Sequence, residues 1–218
     1  MTTREKILSV SKTYFNTHGF GAPTLYSLAK EIGISRGNLT YYFKDKETLL
    51  AALVEEMFIT YTINSAKATQ VISWSSLLKK MKVLHQLQKE YGFIFFDKQV
   101  LLNPLVKSQI QRMREDSIDK MMSMMSYSIK VGNMKPEPFP GIYHNINRSY
   151  WTISFYWYIS KEFQSDPEET NWDKILWSLL LPHFTERGID SFIRHFGNEY
   201  YRSLGKPFAE YEENKVEF

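Results

Sequence analysis

Apolar residues in the first fifty positions recur at three- and four-residue spacing in three short bursts, the signature of three short helices with one buried face each. In the first, Ile7, Leu8, Ser11, Tyr14 and Phe15 share a face. Gly19 follows, where a left-handed residue closes a helix, and Phe20 is expected to fold back as an apolar plug. Thr24, behind Pro23, caps a second helix that buries Leu25, Leu28, Ala29 and Ile32 and ends at Gly33. Ser27 stands three residues after Thr24, where an acidic residue would complete a reciprocal cap, so a slightly weaker second helix is expected. Ser35 caps the third helix, with Ile34, Leu39 and Phe43 inward and Arg36, Gly37, Asn38, Thr40, Tyr41 and Tyr42 outward. Gly37 is poor for helix stability and makes sense where a DNA backbone comes close. The turn from Glu31 to Gly37 gives the second and third helices a helix-turn-helix form, in which the later helix enters the major groove of DNA.

The pattern then lengthens. Asp45 caps a helix running from Lys46 to about Ala66, with Leu49, Leu50, Leu53, Met57 and Tyr61 as its inner stripe. One helix is expected from Trp74 to about Phe96, and another from Pro104 to about Val131. Gly132 to Gly141, with three prolines and two glycines, reads as a loop and as the most mobile segment. Helix resumes from about Tyr143 to Phe163, turns at Ser165-Asp166-Pro167, and continues from Trp172 to about Arg187 and again to about Leu204. The polar tail from Lys206-Pro207 is expected to fray. No β-alternation bounded by hairpin turns appears, so the fold class is all-α.

Charge sharpens this picture. The net charge is +3. Residues 1–50 hold seven basic and four acidic side chains, and the remainder holds twenty of each, so the excess lies where a polyanion would bind. The absence of cysteine rules out disulfides, thiol nucleophiles and zinc–thiolate sites. None of the five histidines forms a metal-binding pair along a helix, and no phosphate loop, dinucleotide fingerprint or nucleophile elbow is present. No catalytic residue, metal or cofactor is therefore expected. The N-terminus enters a helix at once, and the densest apolar stretch, Tyr150 to Ile159, is too short to span a bilayer. A soluble, cytoplasmic protein without a membrane partner is expected.

The run Ile7-Leu8, Phe15, His18-Gly19-Phe20, Thr24, Leu28-Ala29, Gly33-Ile34-Ser35, Gly37, Leu39, Tyr42-Phe43, Lys46-Glu47 and Leu49 resembles the DNA-binding domain of the TetR family of bacterial transcriptional regulators, in register and without gaps. Thr40 stands where that family usually has Tyr, and Tyr41 where His is common. The resemblance implies a helix-turn-helix DNA-binding domain at 1–46 and a larger helical domain for effector binding and dimerisation at 47–218. It further implies a homodimer on a near-palindromic operator in double-stranded DNA, most often a ligand-responsive repressor. The competing reading is a dimeric regulator with no small-molecule inducer, controlled by a protein partner or by its abundance.

Within that reading Arg36 suits guanine and Asn38 adenine, each by a bidentate contact. Thr40 suits a thymine methyl or a phosphate. Thr24, Tyr41, Tyr42 and Lys46 would hold phosphates, with Ser35 and Gly37 completing the contact surface. Trp74, Phe95, Phe96, Met121, Met124, Trp151 and Phe155 are candidates to line a pocket for a small apolar or aromatic effector. The segments from Tyr150 to Ile159 and from Ile175 to Leu181 are apolar over more than one helix face, which suggests Tyr150, Trp157, Trp177 and Leu180 as dimer-interface residues. Asp97, next to an aromatic run, is expected to pair with Arg112 or Arg114.

Overall fold

The computed structural model describes residues 1–68, 73–160 and 172–204. Its helices are α1 (Thr3–His18), α2 (Leu25–Ile32), α3 (Arg36–Tyr42), α4 (Lys46–Ala68), α5 (Trp74–Glu90), α6 (Gly92–Phe96), α7 (Lys98–Leu101), α8 (Pro104–Lys130), α9 (Ile142–Ser160), α10 (Trp172–Leu180), α11 (Glu186–Phe196) and α12 (Asn198–Ser203). The protein is all-α, with a three-helix helix-turn-helix followed by a larger helical region. The expected turn at Ser165-Asp166-Pro167 and the tail from Lys206 lie outside the described residues. Among the described residues no helix is long and apolar enough to cross a membrane.

The chain divides into two compact units, Met1–Glu115 and Asp116–Phe218, with α8 running through the boundary. The first unit extends well past the third helix because α1 packs on α4, α5 and α6 as well as on α2. Leu49, Leu53, Val54 and Met57 of α4 are fully buried in it.

The helix expected from Trp74 to Phe96 is broken at Tyr91. There the Asn16 side chain of α1 supplies what the helix gives up: its amide N–H donates to the Glu90 carbonyl at 2.9 Å, and its oxygen accepts from the Phe93 N–H at 3.0 Å. Helix ends leave such groups unpaired, so one asparagine from elsewhere in the chain stabilises the break. Beside it, Lys12 and Tyr91 both donate to Glu56 Oε1, at 2.8 and 2.6 Å, and the Lys12 ammonium lies 4.7 Å from the Tyr91 ring centre. Burial alone would raise the Glu56 pKa; the hydrogen bonds from Lys12 and Tyr91 outweigh it and hold it below its ordinary value. Burial and the Glu56 contact push the Tyr91 phenol upward, so it stays a neutral donor.

Asp97 has different partners from the arginines expected. One carboxylate oxygen accepts from the Gln99 N–H at 2.9 Å and so caps α7; the other accepts from the Phe20 N–H, also at 2.9 Å. Backbone N–H groups, one two residues away and one 77 residues away, take the place of the expected arginines.

In the second unit, Pro182 interrupts the helix expected from Trp172 to Arg187. α10 stops at Leu180, a 3-10 turn covers Leu181–His183, and Thr185 starts α11 by accepting from the Gly188 N–H at 3.1 Å. The loop from Gly132 to Gly141, expected to be mobile, is tied down along its length. The Thr185 hydroxyl donates to the Gly132 carbonyl at 2.7 Å, the Thr185 N–H to Asn133 at 3.1 Å, and the Lys135 N–H to His183 at 2.8 Å. The Tyr143 hydroxyl donates to the Lys135 carbonyl at 2.6 Å, while the Glu137 carboxylate accepts from the N–H groups of Gly141 and Tyr143. A Cβ on Gly188 would lie 1.9 Å from the Asn133 carbonyl oxygen, so α11 approaches the loop as closely as only glycine permits.

Trp177 of α10 packs edge-on against Phe192 and Phe196, with ring centres at 4.7 and 5.4 Å. Its indole N–H donates to the Tyr200 hydroxyl at 3.1 Å, which in turn donates to Asp173 at 2.6 Å. Burial and this bond to Asp173 push the Tyr200 pKa up.

Candidate nucleic-acid interface

Local signals set the three N-terminal helices. Thr24 Oγ1 accepts from the Ser27 N–H at 3.1 Å, and Ser27 Oγ accepts from the Thr24 N–H at 3.0 Å. Serine thus completes the reciprocal cap that was expected to need an acidic residue, because its hydroxyl is long enough to reach the cap N–H. Gly33 adopts the left-handed conformation (φ 76°, ψ 37°) that ends α2 and starts the turn. Gly19 also has positive φ, but its ψ of 168° takes the chain out extended rather than left-handed. Ser35 Oγ accepts from the Asn38 N–H at 3.1 Å and starts α3. Leu28, Ala29, Ile32, Leu39 and Phe43 are buried and seat α3 on α2. Leu25 and Ile34, expected inside, are only half-buried.

The opposite face of α3 is open. Arg36, Gly37, Asn38 and Tyr42 are exposed, and Tyr41 is 82% exposed. The Tyr41 and Tyr42 rings meet edge-on at 5.2 Å. A Cβ on Gly37 would meet only Ser35 Oγ, at 3.9 Å, so the protein's own packing does not demand glycine there. Thr40 is half-buried, and its hydroxyl lies 3.0 and 3.1 Å from the carbonyls of Arg36 and Gly37, to which it donates. Thr24 and Ser35 are exposed caps.

Lys46 is placed apart from this face. Its ammonium donates to the carbonyls of Phe20, Gly21 and Pro23, the last two at 3.1 and 2.9 Å, and lies 4.6 Å from the Phe20 ring centre. An ammonium has three N–H donors, and all three are engaged here. Burial lowers the Lys46 pKa, against the raising effect of Glu47 and Asp97. Lys46 thus clamps the α1–α2 turn, whose Phe20 N–H is held from the other side by Asp97. A regular polar spacing in the sequence carries no signal for this, since the acceptors are backbone carbonyls.

The first unit also contains a groove of about 500 Å³ whose lining includes Arg4, Tyr42, Glu55, Leu105 and Gln109. It was not anticipated, because its walls come from four helices far apart in sequence. None of the seven expected effector residues lines it. Of those seven, Trp74 and Phe96 are half-buried and Phe95 buried in the first unit; Met121, Met124, Trp151 and Phe155 are buried in the second, where the Trp151 and Phe155 rings lie 5.7 Å apart. The four residues expected at a subunit seam are buried inside the chain itself: Tyr150 is 2% exposed, Trp157 5%, Trp177 and Leu180 0%. Among the described side chains, the large apolar ones that α9 and α10 leave outside are Tyr156, 57% exposed, and Ile175. No group of three or more His, Asp or Glu side chains with metal-binding proximity occurs among the described residues.

Three short helices, the third capped, seated on an apolar face and open on a polar one, define a helix-turn-helix DNA-binding head. Residues 7–53 match the family described as bacterial regulatory proteins, tetR family, and the head is the N-terminal helix-turn-helix domain of the TetR family. The HTH-type transcriptional repressor AcnR of Corynebacterium diphtheriae is 30% identical over 79 residues, which are 36% of this chain and 38% of AcnR. The chain matches less than two thirds of the length of this and the other curated relatives. Among solved structures, a TetR-family transcriptional regulator from Marinobacter aquaeolei VT8 aligns with a TM-score of 0.74 at 19% identity, over 86% of this chain and 93% of that one. SmeT of Stenotrophomonas maltophilia, in complex with triclosan, aligns with a TM-score of 0.62 at 17% identity, over 85% of this chain and 93% of SmeT. At these identities the likeness shows a shared fold.

Proposed function

We propose that the chain is a sequence-specific transcriptional regulator of the bacterial cytoplasm, acting as a homodimer on a near-palindromic operator and most simply as a ligand-responsive repressor. The observation that carries this reading is the exposed polar face of α3 on a capped, well-seated helix. Two such helices related by a two-fold axis would enter successive major grooves about 34 Å apart. Arg36 reads guanine and Asn38 adenine; Thr40, whose hydroxyl is occupied by its own helix, offers a methyl to thymine. Tyr41, Tyr42 and the α2 start at Thr24 fix the register on phosphates. Lys46 acts indirectly, by holding the turn before α2 in place.

The seam between protomers is assigned to the outer strip of α9 and α10, around Tyr156 and Ile175, rather than to their buried sides. An apolar effector in the helical body would favour a state whose heads are wrongly spaced for DNA, in proportion to its differential affinity for the two states. The triclosan complex of the fold-neighbour SmeT supports this class of effector.

The test is genome-wide binding followed by footprinting, then affinity measurements on the operator found. Arg36→Ala is expected to cost about 1–3 kcal/mol on that operator and to relax preference at one base position per half-site. Unchanged affinity and base preference would remove the assignment.

A further inference from the structure

We propose that Asp97 is a positioning residue for DNA reading, so that the unit which presents α3 to DNA extends through α7 rather than ending at the third helix. The assignment rests on the reading of α3 as the DNA-reading helix. Asp97 lies well outside residues 7–53, the stretch that matches the family.

The α1–α2 turn decides where α2 starts, and α3 is seated on α2 through Leu28, Ala29, Ile32 and Leu39. Within that turn Phe20 is gripped through both of its backbone groups. Its N–H donates to Asp97 Oδ2 at 2.9 Å, and its carbonyl accepts from the Lys46 ammonium. The two anchors carry opposite charge and stand at the starts of α7 and α4. The Phe20 ring is held as well. Its centre lies 5.2 Å from that of Phe15, which in turn lies 5.3 Å from that of Phe93 in α6. A Cβ added at Gly21 would lie 2.8 Å from Gln99 Oε1, so α7 meets the turn at a second point.

α7 can anchor the turn because it is fixed in its own right. Val100 is buried, and Asn16 holds the preceding helix break through Glu90 and Phe93. Asp97 divides its two oxygens between two tasks. Oδ1 accepts from the Gln99 N–H at 2.9 Å and starts α7, while Oδ2 holds the turn. A neutral capping residue performs the first task alone. The second oxygen is what the turn requires.

Charge gives the assignment a sign. A carboxylate beside a DNA-binding head opposes a polyanion, so by charge alone its removal strengthens DNA binding. A positioning role predicts the opposite. A displaced turn lowers the fraction of molecules whose α3 is placed for the groove, and apparent affinity falls with that fraction.

The experiment measures operator affinity for the full chain carrying Asp97→Ser, on the operator found by footprinting. Serine keeps the cap on α7 but is too short to reach the Phe20 N–H. Affinity should fall about tenfold, from the loss of a hydrogen bond to a charged acceptor. The same factor is expected on operators carrying single base changes, with a slope against salt equal to that of wild type, because Asp97 touches neither base nor phosphate. Asp97→Asn has one acceptor oxygen for the two tasks and should weaken binding in the same direction. Affinity equal to or tighter than wild type in either variant overturns the proposal, and so does a loss confined to one base position. Loss of cooperative melting in both variants without DNA makes Asp97 purely structural and overturns it too. Arg36→Ala tests the DNA reading on its own: if it is silent, that reading fails, and if only the Asp97 variants are silent, only the positioning role does.

Discussion

Helices α1–α3 and helices α10–α12 share a plan of short helices joined by tight turns, but they direct their side chains in opposite ways. In the head, Ile7, Leu28, Ile32 and Leu39 bury a mainly aliphatic face, and the outer side of α3 is left polar and unengaged. At the other end the large aromatics Trp177, Phe192, Phe196 and Tyr200 turn onto one another, and the polar groups of Asp173 and Tyr200 are drawn into the same cluster. Both regions are rich in residues that recognise partners elsewhere in biology. What separates a surface for recognition from a core is whether the side chains already satisfy one another.

Four measurements bear on that contrast. The largest effect is expected for Trp177→Ala, which empties the centre of the C-terminal cluster and should cost about 3–5 kcal/mol of stability, read by chemical denaturation. A loss below about 1 kcal/mol would mean that the residue is free for a partner after all. Next, Lys46→Met should destabilise the head by about 1–3 kcal/mol, because three carbonyls lose a charged donor. It should weaken DNA binding without changing the slope of affinity against salt. A slope reduced by about one would return Lys46 to the phosphate-contacting set.

A smaller effect should come from acid. The folded-state pKa of Glu56 is depressed, so its contribution is fully present above its ordinary value near 4.5 and is lost as pH falls through the lower folded value. Lys12 and Glu56 are partly solvent-accessible, which limits the size of the effect. Wild type and Glu56→Gln should therefore differ in melting temperature by a constant amount above pH 4.5 and converge as pH falls below it through the folded value. Parallel curves across that range would show that the pair contributes nothing. Ser27→Ala should have the smallest effect, about 0.5–1 kcal/mol from the lost half of the α2 cap, seen in head melting; no change would make the serine incidental.

The sequence made the head legible because its determinants are local. Thr24, Gly33 and Ser35 act within three or four residues of themselves, and so the helices they delimit were placed closely. The helix break at Tyr91 was missed because Asn16 supports it from 74 and 77 positions away. Asp97 was given the wrong partners for the same reason: one of its donors is the backbone of the Phe20 turn, which no side-chain pattern announces, and the carbonyls that Lys46 contacts in that turn are equally silent in the sequence. The outward residues of α3 could be named in advance, but the groove beside them could not, since it needs Arg4, Glu55 and Gln109 to be brought together. Apolar surplus on α9 and α10 was read as a seam; the four residues named for it are buried within one chain, Trp177 against Phe192 and Phe196 of α11.

The close docking of α11 on the loop after α8 sets an order of events during synthesis. Thr185 and Gly188 meet Gly132 and Asn133 across a separation of 53 residues between Thr185 and Gly132. The loop has no partner for these carbonyls until the ribosome has released α11. The caps of the head need only the next few residues to emerge. Translation therefore delivers the helix caps of the head early, whereas the C-terminal unit must wait for α11, with the loop-closure entropy of a long segment to overcome. A pause in translation before α11 would leave Trp177 of α10 without the aromatic rings that cover it, which makes that interval a period of exposure to aggregation.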